Sequence, residues 1–279
     1  MRLAHLILVH NDPNQLERLI QRLTYTDTDI YIHLDAKTDI KYFAYLEAIK
    51  DVFLIPGRTA ITWGNYSMVT ATVNSFEYIL NTGINYSHIN LLSGHDYPLK
   101  SAAEIQSFLF KNADKTFMRY KSIFDDWQES ANRFNLYSLG DYDFHLKYTL
   151  QWVLNRFLPK KKLPNNLKAY GFSQWTTITP VCARYVIDYL KENPSVKQFF
   201  RLTWGVDELV FQTILVNSYL KDTIVNDHLR YIKFVKAASR PNTLTIADAK
   251  TLLDSGKFYA RKFHADVDSE ILDYLDSHC

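Results

Sequence analysis

Apolar residues along the chain fall into short runs separated by amphipathic stretches, a pattern that predicts strands alternating with helices. Buried strands are predicted from four apolar runs, at 3–9, 30–35, 52–56 and 86–92. Leucines at helical spacing after Pro13 predict a helix behind the first strand, and a long amphipathic helix is predicted over 66–81. Such alternation is typical of an α/β protein with a mostly parallel central sheet.

The second half of the chain has a less regular pattern. Residues 114–142 mix charged and aromatic side chains and predict loops and short helices. The stretch at 173–180 predicts a strand, and the one at 181–190 predicts a helix. Another helix is predicted to start near Val206, and a further one runs over 245–256, with a threonine as its cap and a glycine at its end.

The composition is that of a globular protein of 279 residues, 47% of them apolar, enough for one large domain or two small ones. A formal net charge of +2 argues against a nucleic-acid partner. Two cysteines cannot form a secreted-type disulfide framework, and the first apolar run is too short for a signal peptide. No run approaches the roughly 18 apolar residues of a spanning helix, so the expected location is the cytoplasm.

The stretch SHINLLSGHDYPLKS (87–101) places three polar or aromatic side chains where a predicted strand ends. The strand breaks at Ser93-Gly94, and His95, Asp96 and Tyr97 follow. In open α/β sheets, ligands bind beyond the carboxyl ends of the strands. Aspartate is also common in turns for local hydrogen-bonding reasons, and this simpler explanation is favoured while the stretch is considered alone.

Several motifs of nucleotide, metal and ester chemistry do not occur in the sequence. It has no GxxxxGK[ST] loop, no GxGxxG after the first strand, no HExxH and no GxSxG. Three Asp-x-Asp strings do occur, beginning at Asp27, Asp141 and Asp266. None of them follows an apolar strand as a diphosphate-bound cation requires, so no metal site is predicted. A departing nucleotide diphosphate would then need basic residues, and the candidates are Arg240 and the pair Arg261-Lys262.

The stretch WGVDELVFQTIL (204–215) places two carboxylates, Asp207 and Glu208, at the opening of an apolar helix. The helix dipole alone favours acids at this position. The preceding Trp204-Gly205 would allow a ligand to approach closely, and a carboxylate fixed on a rigid helix start suits a general base.

Taken in order, LLSGHDYPLKS, SQWTTIT, WGVDELVFQTIL and FYARKF resemble the core-2/I-branching and peptide xylosyltransferase family, glycosyltransferase family 14. LILVHNDPNQLERLIQRL, YIHLDAK and ITWGNYSMV are similar to that family's opening segments. The resemblance spans nearly the whole chain. It implies one catalytic domain over 1–279 with the GT-A (Rossmann-like) fold, in which 1–100 form the nucleotide-binding half and 101–279 the acceptor-binding and catalytic half. The chain looks like a compact bacterial member.

The resemblance implies an inverting glycosyltransferase that moves a sugar from a UDP-sugar to a hydroxyl of a glycan or glycolipid. The sugar is expected to be N-acetylglucosamine or xylose-like, the product linkage to be β, and no metal or other cofactor to be obligatory. In a bacterial setting the activity would belong to polysaccharide biosynthesis. The alternative is a non-catalytic protein of the same fold that binds carbohydrate or nucleotide sugar.

The resemblance also implies roles for individual residues. Glu208 is the expected general base, and Asp96 is the rival base or a sugar contact. The candidate donor-binding residues are Val9, His10, Asp35, Arg240, Arg261 and Lys262. The candidate acceptor- or sugar-binding residues are His95, Tyr97, Trp175, Trp204 and Asp207.

Residues 144–163 form an apolar and basic segment with two interpretations. Phe144, Tyr148 and Trp152 recur four residues apart and would share one helix face. The favoured interpretation is a helix packed on the core and followed by a solvated basic turn, because globular helices commonly bury such stripes. The other is a peripheral contact with an anionic membrane through the aromatic face and the lysines of PKKKLP.

Overall fold

The computed structural model describes residues 1–234 and 240–279, and within these residues ten strands form two sheets. The strands are β1 (Arg2–Val9), β2 (Thr28–Leu34), β3 (Val52–Leu54), β4 (Tyr86–Ser93), β5 (Asp96–Pro98), β6 (Thr116–Ser122), β7 (Tyr170–Ile178), β8 (Ile224–Val225), β9 (Arg230–Ile232) and β10 (Tyr259–Arg261). The large sheet has the order β3-β2-β1-β4-β7-β6-β8, in which β7 is antiparallel to both neighbours. The small sheet has the order β5-β10-β9.

Helices cover both faces of the large sheet. They are α1 (Pro13–Leu23), α2 (Tyr66–Leu80), α3 (Ala102–Lys111), α4 (Ala131–Asn135), α5 (Lys147–Phe157), α6 (Pro180–Glu192), α7 (Pro194–Arg201), α8 (Val210–Val216), α9 (Ala249–Asp254) and α10 (Glu270–His278). One core lies between the sheet and α2, α6, α7 and α8. The second lies under α1, α3, α9 and α10. The predicted α/β fold with a mostly parallel central sheet is confirmed.

The predicted elements of the first hundred residues are confirmed, because β1, β2 and β4 are buried along most of their length and therefore appear as continuous apolar runs. Near the C-terminal end, Thr245 forms a capping box with Asp248, and Gly256 follows α9 with a φ of +67°. Both residues were predicted as the boundaries of this helical stretch.

The prediction of loops and short helices over 114–142 is wrong for its first part. This part forms β6, which pairs with β7 on one side and with β8 on the other. Thr116, Phe117 and Met118 are all buried, whereas the charged residues after them are at least partly exposed. The strand therefore shows no period-two alternation, which is the pattern that would have revealed it.

The favoured interpretation of 144–163 as a core-packed helix is also wrong. None of the residues of α5 is buried, and Phe144 lies before the helix rather than on it. The basic turn is not simply solvated either: Lys161 is 9% exposed, and its ammonium donates to Leu202 O and to Thr203 Oγ1. None of the helices in the described ranges is long and apolar enough to span a membrane.

Candidate active site

The small sheet joins two sequence segments that are far apart in the chain. Strand β5 runs antiparallel to β10, with Asp96 directly opposite Arg261. Asp96 Oδ1 and Arg261 Nη1 are 3.4 Å apart. The segments SGHDYP and FYARKF therefore form one structural unit beyond the end of β4.

The Asp96 carboxylate is enclosed by its own loop. It is 1% exposed and accepts hydrogen bonds from Ser93 N at 2.9 Å and Ser93 Oγ at 3.2 Å. Buried charges in proteins are normally paired, and Arg261 provides the nearby opposite charge. Asp96 is thus fixed and shielded from solvent.

The Arg261 guanidinium has few acceptors around it. It lies over the Trp175 ring, 3.9 Å from the centroid, and its side chain is only 11% exposed. Its Nε and Nη1 have no hydrogen-bond acceptor among the described residues. Burial lowers its pKa, and the carboxylates of Asp96, Glu208 and Asp207 oppose that effect. A buried donor without an acceptor requires an explanation, and an anionic ligand would provide one.

The two acids after Gly205 occupy different environments. Glu208 is about one-third exposed (35%), and its carboxylate accepts a hydrogen bond from Arg133 Nη1 at 2.5 Å. Asp207 is 7% exposed, and burial together with the neighbouring Glu208 raises its pKa to about 7. Burial also raises the pKa of Glu208, although Arg133 acts in the opposite direction. Of this pair, Glu208 is the carboxylate that a solvent-borne group can reach.

Gly205 adopts a left-handed conformation with a φ of +66° at this turn. A Cβ atom here would lie 3.0 Å from Arg133 Nη1. Glycine is needed both for the backbone conformation and for the approach of Arg133, so the local sequence WGVDE sets the position of Glu208.

Two tryptophans and two arginines border the site. Trp63 and Trp204 pack edge to face at 5.6 Å. Arg240 lies 5.7 Å from the Trp63 ring centroid, and Arg133 lies 5.0 Å from that of Trp204. Sugar-binding sites commonly need such flat apolar faces beside polar groups. Trp63 lies in the segment ITWGNYSMV, and no pattern in the sequence predicted a role for it.

A cavity of about 640 Å³ opens beside these residues. Its lining includes Arg133 and Trp204 on one side and Tyr148, Gln151 and Asn155 of α5 on the other. Arg133 could not be predicted from the sequence, because it lies in a segment without regular periodicity and no motif marks it.

Imidazole rings cluster next to the basic residues. The His95 ring is 4.3 Å from His264 and 5.7 Å from His10. Burial, together with the nearby positive charge of Lys262, lowers the pKa of His95 to about 3. Burial and the neighbouring Arg261 and Arg240 also lower the pKa of Lys262. This region carries positive charge with few counter-charges, an environment that suits an anion.

The candidate nucleoside-binding residues lie at the ends of two adjacent strands. Asp35 N donates to Val9 O at 2.8 Å. Asp35 Oδ1 accepts from Lys37 N at 2.9 Å, and its Oδ2 accepts from Ile61 N at 3.3 Å. The structure therefore brings Val9, His10 and Asp35 together at the edge of the sheet where β1 and β2 end.

Tyr97 is the candidate that the structure does not bring together with the others. Because side chains alternate along a strand, Tyr97 projects away from Asp96 into the second core. It is fully buried, donates to Asp276 Oδ1 at 2.5 Å and accepts from Arg18 Nε at 3.2 Å. Its hydroxyl thus links α1 to α10.

The three Asp-x-Asp strings are occupied by protein contacts. Asp29 pairs with Arg2, Asp141 accepts from Ser67, and Asp268 accepts from Ile246 N and Ile271 N. Among residues 1–234 and 240–279, no three or more histidine, cysteine or acidic residues are grouped as metal ligands.

A family model described as Core-2/I-Branching enzyme matches residues 3–253. The chain belongs to this family. The match includes the segments around Asp96 and Glu208, whereas Arg261 and Lys262 lie just beyond it.

Curated relatives of this family member are xylosyltransferases. Xylosyltransferase 2 of Rattus norvegicus is 27% identical, and that of Homo sapiens is 26% identical. Each comparison covers 100% of this chain and 34% of the relative, so the chain spans about a third of the length of these proteins. A solved structure of mouse xyloside xylosyltransferase 1 in its apo form aligns with a TM-score of 0.41 and 11% identity, over 84% of this chain and 88% of that one.

Proposed function

We propose that the chain is an inverting glycosyltransferase that moves a sugar from a UDP-sugar to a hydroxyl of a glycan or glycolipid acceptor. The transferred sugar is N-acetylglucosamine or a xylose-like pentose, and the product linkage is β. The observation that carries the proposal is the proximity of a solvent-reachable carboxylate, Glu208, to a buried arginine with unpaired donors, Arg261. Family membership and the xylosyltransferase relatives support it.

The reaction is a single displacement. Glu208 takes the proton from the acceptor hydroxyl as its oxygen forms a bond to the anomeric carbon. The bond from that carbon to the diphosphate oxygen breaks on the opposite face, and its electron pair leaves with UDP. Arg261, Lys262 and Arg240 stabilise the negative charge that develops on the diphosphate.

Accessibility supports Glu208 rather than Asp96 as the base. A base must reach the proton that it removes, and Asp96 is closed off by Ser93 and Arg261. In this proposal Asp96 holds Arg261 in position. Arg133 orients the Glu208 carboxylate and favours its ionised form, which is the form that accepts a proton.

Both parts of the chain contribute to this arrangement. Residues 1–100 form the nucleotide-binding half, with the nucleoside near the ends of β1 and β2. Residues 101–279 form the acceptor-binding and catalytic half and add Arg261 and Lys262 at the diphosphate. In this proposal the sugars contact Trp204 and Trp175, which are the two predicted acceptor- or sugar-binding residues that are not buried.

UDP binding is expected to be independent of divalent metal, because basic side chains take the place of a cation at the diphosphate. Calorimetric titration of UDP with and without EDTA measures this. A tenfold loss of affinity on chelation, about 1.4 kcal/mol, would contradict the expectation. It would indicate that one of the Asp-x-Asp strings binds a divalent cation.

Lys262→Ala is expected to weaken UDP binding about tenfold or more while leaving uridine binding nearly unchanged. A hydrogen bond to a charged group contributes about 1.5–3 kcal/mol, and only the diphosphate carries the charge that Lys262 would meet. Parallel calorimetry of the two ligands makes the comparison. The matched control is Lys250→Ala, which removes a 90%-exposed lysine. Equal losses for UDP and uridine would refute the assignment.

A further inference from the structure

Helix α5 exposes an apolar surface that the rest of the described chain does not cover. The outer face of α5 includes the exposed apolar residues Leu150, Trp152, Val153 and Phe157, with Thr149 and Arg156 among them. Trp152 is 62% exposed and Phe157 is 72% exposed, and their rings pack edge to face at 6.4 Å. Apolar flanks continue this face at both ends, with Leu146 at 64% and Leu158 at 47%. A contiguous exposed apolar patch marks an interaction surface.

The segment that carries this face has side-chain charges of one sign. Segment 144–168 contains five lysines and Arg156 and no acidic residue, although the whole chain is nearly neutral at +2. Arg156, Lys160 and Lys162 are exposed, whereas Lys161 is buried. The nearest acid along the chain is Asp143, just before the segment.

The inner side of the same helix lines the cavity of about 640 Å³ beside Arg133 and Trp204. Tyr148, Gln151 and Asn155 face the cavity, which Arg133 and Trp204 border on its other side. Arg133 contacts Glu208 directly. One helix therefore separates the cavity beside the proposed base from an apolar, cationic outer surface.

We propose that the outer face of α5 binds an anionic phospholipid surface and that the acceptor is carried on a lipid in that membrane. Exposed tryptophan and phenylalanine beside arginine and lysine are the features by which a helix lies in a membrane interface. The uniform positive charge favours anionic lipid over a second copy of this chain, because two copies facing each other would bring like charges together. The statement about the acceptor rests on the proposed function; the statement about membrane binding does not.

Vesicle co-sedimentation tests the binding. The protein is expected to sediment with vesicles of phosphatidylcholine and phosphatidylglycerol in equal parts, but not with phosphatidylcholine alone, and to be released by high salt. R156E/K160E/K162E is expected to weaken partitioning about a hundredfold, since each basic residue near an anionic surface contributes about fivefold. W152S/F157S is expected to abolish it.

Matched controls keep the test specific to α5. K50E/K111E/K197E reverses three exposed lysines elsewhere, and Y42S/V181S removes two exposed apolar side chains elsewhere. Both controls are expected to bind vesicles as the unmodified protein does. Circular dichroism and urea denaturation of every variant confirm that it remains folded, independently of any ligand.

Three outcomes would overturn the membrane assignment. They are failure to sediment with anionic vesicles at low salt, equal losses in the control variants, and a solution dimer that W152S/F157S dissociates. For the acceptor, a lipid-linked glycan in anionic vesicles is expected to be used faster than the same glycan free in solution. Vesicle binding without any sugar transfer would support membrane binding by α5 and would contradict the proposed glycosyltransferase function.

Discussion

Replacing Glu208 with glutamine is expected to reduce turnover by about 10²–10⁴-fold, the usual contribution of a positioned general base. Glutamine keeps the size of the side chain and a carbonyl oxygen that can accept from Arg133, but it cannot take a proton. UDP affinity is expected to stay within about twofold, because in the proposed mechanism Glu208 contacts the acceptor hydroxyl and not UDP. Rates of UDP release with saturating acceptor, together with calorimetric UDP titration, measure both quantities.

Glu77→Gln is the matched control for this substitution. Glu77 lies on α2 and forms an ion pair with Lys191, so the same chemical change is made far from the site. Turnover of Glu208→Gln within about threefold of the unmodified enzyme would exclude Glu208 as the base. A protein that binds UDP but shows no transfer with or without the substitution would support the non-catalytic alternative.

Asp96→Asn is expected to lower the free energy of unfolding by about 3 kcal/mol. Removing one partner of a buried ion pair leaves the other charge uncompensated, and this commonly costs 3–5 kcal/mol. The remaining charge is Arg261, whose side chain is 11% exposed and whose Nε and Nη1 have no acceptor among the described residues. Urea denaturation gives the change, provided that the dependence on denaturant concentration is the same for both proteins.

Asp254→Asn provides the comparison for stability. Asp254 pairs with Lys250 on the surface of α9, and such exposed pairs contribute about 0–1 kcal/mol. If Asp96→Asn abolished turnover while unfolding stayed within 1 kcal/mol of the unmodified protein, Asp96 would be the base and not a positioning residue.

Three strands of the large sheet could be predicted from the sequence because burial on both faces leaves a continuous apolar run. This holds for β1, β2 and β4. Helix boundaries were predictable where side chains bond to nearby backbone, as at Thr245. In both cases the information lies within a few residues, so a local pattern is sufficient.

The contacts that build the site carry no such local signal. Strands β5 and β10 have three residues each, and their pairing depends on the tertiary fold. The contact of Arg133 with Glu208 spans 75 positions in the chain. Periodicity indicated that the aromatic residues around Trp152 recur on one side of a helix, but it could not show whether another element would cover them.

The pairing of β5 with β10 also determines when, during synthesis of the chain, the proposed diphosphate-binding residues come together. A ribosome completes the strands β1 to β4, the SGHDYP loop and the segment with Glu208 well before it reaches residue 261. Until then Asp96 has no guanidinium opposite it, and two of the three positive charges proposed to hold a diphosphate, Arg261 and Lys262, do not yet exist. A growing chain is therefore expected to gain its full affinity for a nucleoside diphosphate only after FYARKF has left the ribosome and joined the small sheet.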